Sequence, residues 1–327
     1  MRKIIAIIGV GNIGTRHLQS MQYLEMEYEI YAYDPSKDSI EKCRKMCASI
    51  WDNTKRQINY INDIQQLPYY IDLVIVATSA NVRRGVIEQL INRFKIKFLV
   101  LEKVLFQKKE DFFSVKELLE KNNIMAWVNT PRRAFNSYRH LKEDMRDINE
   151  FEVYICGTNW GMGCNLIHYI DSISFLADDE PVYILDIQSD EVIPENKRKG
   201  FYELNGTVIG SIGKCNYFRI TSYRESEIKS PATIYIQSEK LRCIIIEDER
   251  KIIKIEKEDE WKITEQRFEM PYISEFSYRV VEDILKYGRC NLPSYELSMQ
   301  EHLPMIEKLI ECHFQKLGIG GDICPIT

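Results

Sequence analysis

Apolar residues follow two different rhythms along this 327-residue chain. In the first 128 residues, short solid apolar runs alternate with stretches whose apolar positions recur every three or four residues. The runs lie at 4–10, 28–33, 73–77, 98–102 and 124–128. Helix-like stretches follow at about 15–24, after Pro35 and Ser36, and at about 84–94 and 108–121. A strand covered on both faces loses its alternation, so this half predicts a doubly wound parallel sheet with helices on both sides. Residues 51–67 read as a short strand and a short helix ending before Pro68.

The rhythm changes after Asn129. A helix is expected over about 135–145, then the run FEVYICG at 151–157, then a second helix through NLIHYIDSISFLA. From 182 to 270 the chain breaks into short runs separated by turn residues, with clear period-two alternation at 217–223 and 251–256. That pattern predicts a large, mostly antiparallel sheet with one covered face and one open face. Two helices, at about 273–287 and 295–317, close the chain. The division expected from pattern alone is a Rossmann-like α/β domain over 1–128 and an α+β domain over 129–327.

The candidate chemistry begins at the first strand, KIIAIIGVGNIG. A strand running into G-x-G-x-x-G and then a helix is the phosphate turn of a dinucleotide-binding unit. Gly9 would permit the tight turn, Gly11 the close approach of backbone to a pyrophosphate, and Gly14 the packing of helix on strand. The amides of Asn12, Ile13 and Gly14 would face the phosphates with the helix dipole behind them. Asp34 ends the second run, where a carboxylate accepts ribose hydroxyls and repels a 2′-phosphate, which favours NAD over NADP. Lys37 is the nearest base. Ligands of such sheets lie beyond the carboxyl ends of the strands. That rule adds Thr78, Ser79 and Asn81 after the third solid run and Glu102 and Lys103 at the end of the fourth.

Composition narrows the partners. Lys and Arg number 44 against 49 Asp and Glu, a net charge of −5, with no basic stripe, so nucleic acid is not expected. No apolar run reaches the ~18 residues of a membrane span, and the chain enters its first strand without a leader. Nine cysteines are scattered without C-x-x-C pairs, and Cys43 with Cys47 lacks a histidine to complete a metal set. Reduced thiols in a cytoplasm and no metal are the expectation.

The glycine turn, LEKV at 101–104 and HYID at 168–171, in this order, resemble the glucose–fructose oxidoreductase/inositol dehydrogenase/MocA family over nearly the whole chain. Val104 stands where that family places proline, and Arg83 stands near a family histidine. His17, Asn129, Arg132 and Phe135 also match family positions. The resemblance implies hydride transfer between a nicotinamide and a hydroxyl or keto group of a sugar or sugar derivative held between the domains. Lys103 would stabilise the developing alkoxide and His168 would relay the proton. Trp160, Asn165 and Arg132 become candidate substrate contacts, Arg132 for a carboxylate or phosphate. Asp171 is expected to be structural, and His302 to lie in the core or an interface.

One departure stands out. Relatives carry an aspartate four residues before the histidine, where this chain has Cys164, followed by Asn165. The Cys-Asn-x-x-His form and the ending CPIT point, through the resemblance, to surface-polysaccharide or sialic-acid-like pathways. The alternative is a non-catalytic dinucleotide-binding sensor or regulatory protein. A methyltransferase with the same turn is disfavoured by the full parallel half and the antiparallel second domain. An open sheet face suggests a homodimer or homotetramer.

Overall fold

A computed structural model describes residues 2–48, 58–190, 199–224, 230–316, 318 and 321–327. In chain order the elements are β1 (Lys3–Ile8), α1 (Asn12–Ser20), β2 (Tyr28–Tyr33), α2 (Lys37–Cys47), β3 (Ile58–Ile61), β4 (Tyr70–Val76), α3 (Ala80–Arg93), β5 (Lys95–Leu101), α4 (Lys109–Lys121) and β6 (Met125–Val128). There follow α5 (Asn136–Asp144), β7 (Phe151–Thr158), α6 (Met162–Leu176), β8 (Val182–Ser189), β9 (Gly206–Ile212), β10 (Cys215–Tyr223), β11 (Ser230–Ser238) and β12 (Leu241–Ile246). The chain then forms β13 (Lys251–Glu256), β14 (Ile263–Arg267), α7 (Ile273–Tyr287) and α8 (Tyr295–Leu309). Of the stretch expected at 51–67, residues 51–57 lie outside the described residues; the rest is β3 and a 3-10 turn, Ile64–Gln66.

The chain divides into two compact units, Met1–Phe106 with Glu110–Asn129 and Pro271–Glu296, and Gln107–Lys109 with Thr130–Met270 and Leu297–Thr327. The first holds a six-stranded parallel sheet in the order β3-β2-β1-β4-β5-β6. Ile5 pairs with both Ile30 and Leu73 across the centre, and all three are fully buried. This double coverage explains the solid apolar runs. Strand order reverses at β1, which opens a crevice beyond the carboxyl ends of β1 and β4.

A single cut after residue 128 misses the return of α7 to this first unit. Its amphipathic face buries Phe276, Val280, Val281 and Ile284, and the Tyr278 amide donates to Ser20 Oγ at the end of α1 (2.9 Å). The sequence distance between α1 and α7 hides this partnership, because an apolar helix face does not name the surface it covers.

The second unit holds an eight-stranded sheet in the order β14-β13-β12-β11-β7-β10-β9-β8. All its pairings are antiparallel except β7 with β10. A parallel pair needs a crossover, and α6 with β8 and β9 lies between the two in sequence. One register row runs Asp186–Ile209–Arg219–Tyr154–Tyr235–Ile244–Ile253–Glu265 across all eight strands, and none of its members is buried. In the next row Val208, Ile220, Ile155, Ile234, Ile245 and Ile252 are all buried. Alternation in sequence thus becomes one covered and one open face. Near the chain's end α8, with Pro304 inside it, passes into a wider turn, Ile310–Phe314, short of the expected 317. Among the described residues no helix is long and apolar enough to cross a membrane.

Candidate functional site

The glycine turn is built as its spacing implies. Gly9 has φ +89°, a conformation that favours glycine, and its amide donates to Tyr33 O of β2 (2.8 Å). A Cβ on Gly14 would stand 2.0 Å from Gly9 O, so only glycine lets α1 start so close to β1. At Gly11 a Cβ would meet nothing within 4 Å. Gly11 caps α1 without a side-chain hydrogen bond, and Gly11, Asn12 and Ile13 are exposed. Uncapped amides, the dipole of α1 and open space before Gly11 together fit a pyrophosphate. Asp34, half-buried just past β2, accepts the Ser36 amide on Oδ1 (2.9 Å), an arrangement that fixes the direction of its carboxylate.

Thr78 packs against the turn: its Cγ2 would be 3.1 Å from a Cβ on Gly9, while its buried Oγ1 has no hydrogen-bond partner. Ser79 Oγ donates to Asn81 Oδ1 (2.7 Å) at the exposed start of α3. Glu102, expected beside the cofactor, is instead turned inward. Its Oε1 lies 2.8 Å from His17 Nε2 and accepts Asn129 Nδ2 at 2.6 Å, while His17 Nδ1 reaches Ser277 Oγ at 2.5 Å. Burial raises the Glu102 carboxyl pKa, but the hydrogen bonds from His17 and Asn129 and the charge of Lys103 outweigh it and hold it below the usual range. Lys103 follows directly, half-buried, and the Lys103–Val104 peptide is cis.

In the second unit α6 begins at Gly161, in the left-handed region at φ +80°. Cys164, Asn165 and His168 share its partly exposed face, as the i, i+1 and i+4 spacing requires. Asn165 Nδ2 donates to Trp160 O (3.0 Å), and the Cys164 thiol donates to Gly161 O (3.5 Å). The Trp160 loop is anchored. Its indole donates to Thr221 O (3.0 Å) and stands edge-on to Tyr169 at 5.2 Å.

Arg132, expected to meet a substrate anion, already holds one. Its guanidinium grips both oxygens of Glu247 (2.7 and 2.6 Å) and stacks over Tyr169 at 4.4 Å. Tyr138 donates to the same carboxylate (2.6 Å). The physical reason is burial: Glu247 is 9% exposed, and a buried carboxylate needs a cation.

Arg133, Glu203 and Glu301 carry no signal in the sequence, and Asp171 and His302 carry only a partial one. Arg133, buried, donates from Nε to Asp171 Oδ1 (2.8 Å) and from its two Nη atoms to Asp179 (3.0 Å) and Glu301 (2.9 Å). Asp171 is therefore structural, with Arg133 as its partner. Burial pushes the Asp171 carboxyl up to about 6 and raises that of Glu301 well above its ordinary value. Glu203 accepts the Gly163 amide at the start of α6. His302 is fully buried and bonded to Ser298 O (2.7 Å). Neither Glu203 nor Glu301 carries a spacing signal toward α6, since tertiary contact alone brings them there. Among the described residues no group of three or more His, Cys, Asp or Glu could hold a metal ion.

The fold is widely shared. An oxidoreductase from Agrobacterium radiobacter, solved with NAD+, L-tartaric acid and magnesium, superposes with a TM-score of 0.73 at 13% identity, covering 95% of this chain and 96% of that one. UDP-N-acetylglucosamine 3-dehydrogenase GnnA from Acidithiobacillus ferrooxidans gives 0.71 at 10% identity, over 95% and 97%. The super-repressor mutant of Gal80p from Saccharomyces cerevisiae gives 0.73 at 13% identity, over 97% of each chain. No curated protein matches the sequence. Residues 3–130 match the family model GFO_IDH_MocA, described as an oxidoreductase family with an NAD-binding Rossmann fold. Over those residues the chain is similar to that oxidoreductase family, with which it shares the glycine turn and the Glu102–Lys103 pair.

Proposed function

We propose that this protein is an NAD-dependent oxidoreductase that interconverts a secondary alcohol and a ketone on a sugar or sugar derivative. The observation that carries the reading is the cradle at Gly11, open and uncapped, on the same sheet edge as Asp34, Thr78 and Lys103. Amides of Asn12, Ile13 and Gly14 bind the pyrophosphate, and Asp34 accepts the adenosine ribose hydroxyls, which disfavours the 2′-phosphate of NADP. Bound there, the dinucleotide supplies the hydride acceptor or donor. Lys103 donates a hydrogen bond to the substrate oxygen and lowers the cost of its negative charge, and His168 accepts the proton. Asn165 and Trp160 contribute polar and aromatic surface for the sugar. The open sheet row, with exposed Tyr154 and Tyr235, is the surface through which copies would associate.

A second reading, a dinucleotide sensor without turnover, is favoured by one observation: Cys164 presents a thiol bonded to a main-chain carbonyl where relatives carry an acid. One experiment separates the two. Titration with NADH and NADPH by fluorescence is followed by a screen of sugars and nucleotide sugars for absorbance change, with Lys103→Ala and His168→Ala beside the parent. Turnover lost in both variants with NADH binding kept supports the enzyme. Tight NADH binding with no turnover on any sugar supports the sensor.

A further inference from the structure

We propose that Arg83 is a positioning residue for Lys103: one buried guanidinium clips the segment after Lys103 to the segment after β4 and so fixes where the lysine amine stands. The inference rests on the hydride-transfer reading for the role of Lys103. Arg83 lies near the start of α3 and is 1% exposed. Its Nη1 donates to Val104 O and to Leu105 O, the latter at 2.8 Å, and its Nη2 donates to Thr78 O. Thr78 follows β4, and Val104 and Leu105 follow Lys103, so a single side chain joins the ends of two neighbouring strands.

Lys103 is held equally firmly from its other side. The Glu102 amide donates to Val76 O (3.0 Å), and the Glu102 carboxylate is held by His17 and Asn129. Val104, Leu105 and Phe106 are fully buried, which leaves the segment little room to drift. The lysine is thus pinned through Glu102 before it and through Arg83 after it, with its own side chain half-buried between them.

The chemistry of the clip explains why arginine stands there. Three carbonyl oxygens converge, and a planar fork of N–H donors can satisfy all three at fixed angles. An ammonium on a shorter stem is a point donor and cannot span the same set. A buried charge is costly, so a position that only needed bulk would be served better by leucine. Arg83 also links Thr78, which packs on the Gly9 turn, to the residue after Lys103, so the turn and the amine share one fastening.

The test uses the full chain with Arg83→Lys and Arg83→Gln, each alone and combined with Lys103→Ala. Lysines are dimethylated with 13C-formaldehyde, and the Lys103 resonance is identified by its loss in Lys103→Ala. In Arg83→Lys, which keeps the buried charge and the fold, the Lys103 resonance and its titration midpoint are expected to move. Turnover is expected to fall about 100-fold, the size associated with an ångström-scale misplacement, with KM nearly unchanged. Adding Arg83→Lys to Lys103→Ala is expected to cost nothing further, since the two act as one unit. A folded Arg83→Lys whose Lys103 resonance and midpoint stay in place overturns the inference, and so does an additive loss in the double variant. If the parent turns over no alcohol, the hydride-transfer reading fails on its own, and the lysine resonance still decides whether Arg83 positions the amine.

Discussion

His17 Nε2 stands 2.8 Å from Glu102 Oε1, which ties the helix begun by the glycine turn to the residue that precedes Lys103. Both side chains are buried, His17 at 1% and Glu102 at 7% exposure, so the pair is shielded from water. The other ring nitrogen reaches Ser277 of α7. One imidazole therefore connects α1, the end of β5 and the returning helix.

Replacing Glu102 by Gln is expected to cost about 1–3 kcal/mol at neutral pH, because its partners lose a charged acceptor. The sign with pH follows from its depressed pKa. A carboxyl held below its unfolded value contributes stability above the ordinary 4.5 and loses it as pH falls through and below that value. Urea unfolding of the parent and Glu102→Gln should therefore give a gap that is wide at pH 7 and narrows toward acid. A gap independent of pH would show that the Glu102 charge contributes no stability.

Gly11→Ala and Gly14→Ala are expected to differ in kind. Gly14→Ala drives a methyl into Gly9 O and should lower the thermal midpoint as well as dinucleotide binding. Gly11→Ala meets no protein atom, so the fold should be kept while NADH affinity drops at least about tenfold. Thermal melts beside NADH fluorescence titrations check the pair; unchanged affinity in Gly11→Ala would remove that cradle from the site.

Asp34→Ala should weaken NADH binding and improve NADPH binding, since it removes both the ribose acceptor and the repulsion of a 2′-phosphate. The ratio of the two dissociation constants is the quantity to measure. A ratio unmoved by the substitution would take Asp34 out of cofactor choice.

Arg133→Ala is expected to be among the most damaging substitutions, at about 3–5 kcal/mol, because it strands Asp171 and Glu301 without their cation. Burial raises both carboxyl pKa values, so the folded state takes up protons on folding, and the strain of the unpaired pair is greatest when both are ionised. The loss should therefore be larger at about pH 8 than at about pH 5, as Asp171 titrates near 6. Denaturant unfolding at both values measures it, and equal losses would contradict the buried-charge account.

Much of this fold is legible in the sequence. The solid runs marked five of the six parallel strands, since strands buried on both faces have no polar positions to spare. The glycine spacing marked the turn, because backbone sterics at Gly9 and Gly14 leave little choice of residue. Alternation at 217–223 and 251–256 marked strands with one open face.

What tertiary structure alone decided is which groups meet. Arg132 reads in sequence as an anion receptor, yet Glu247, far along the chain, already fills its fork. Arg133, Asp171 and Glu301 form one buried charge cluster from three separate segments, and α7 leaves its neighbours to pack on α1. Periodicity records whether a side chain is buried, because the solvent acts on every position locally. It does not record the partner, which is chosen only when distant segments compete for the same buried charge or apolar face.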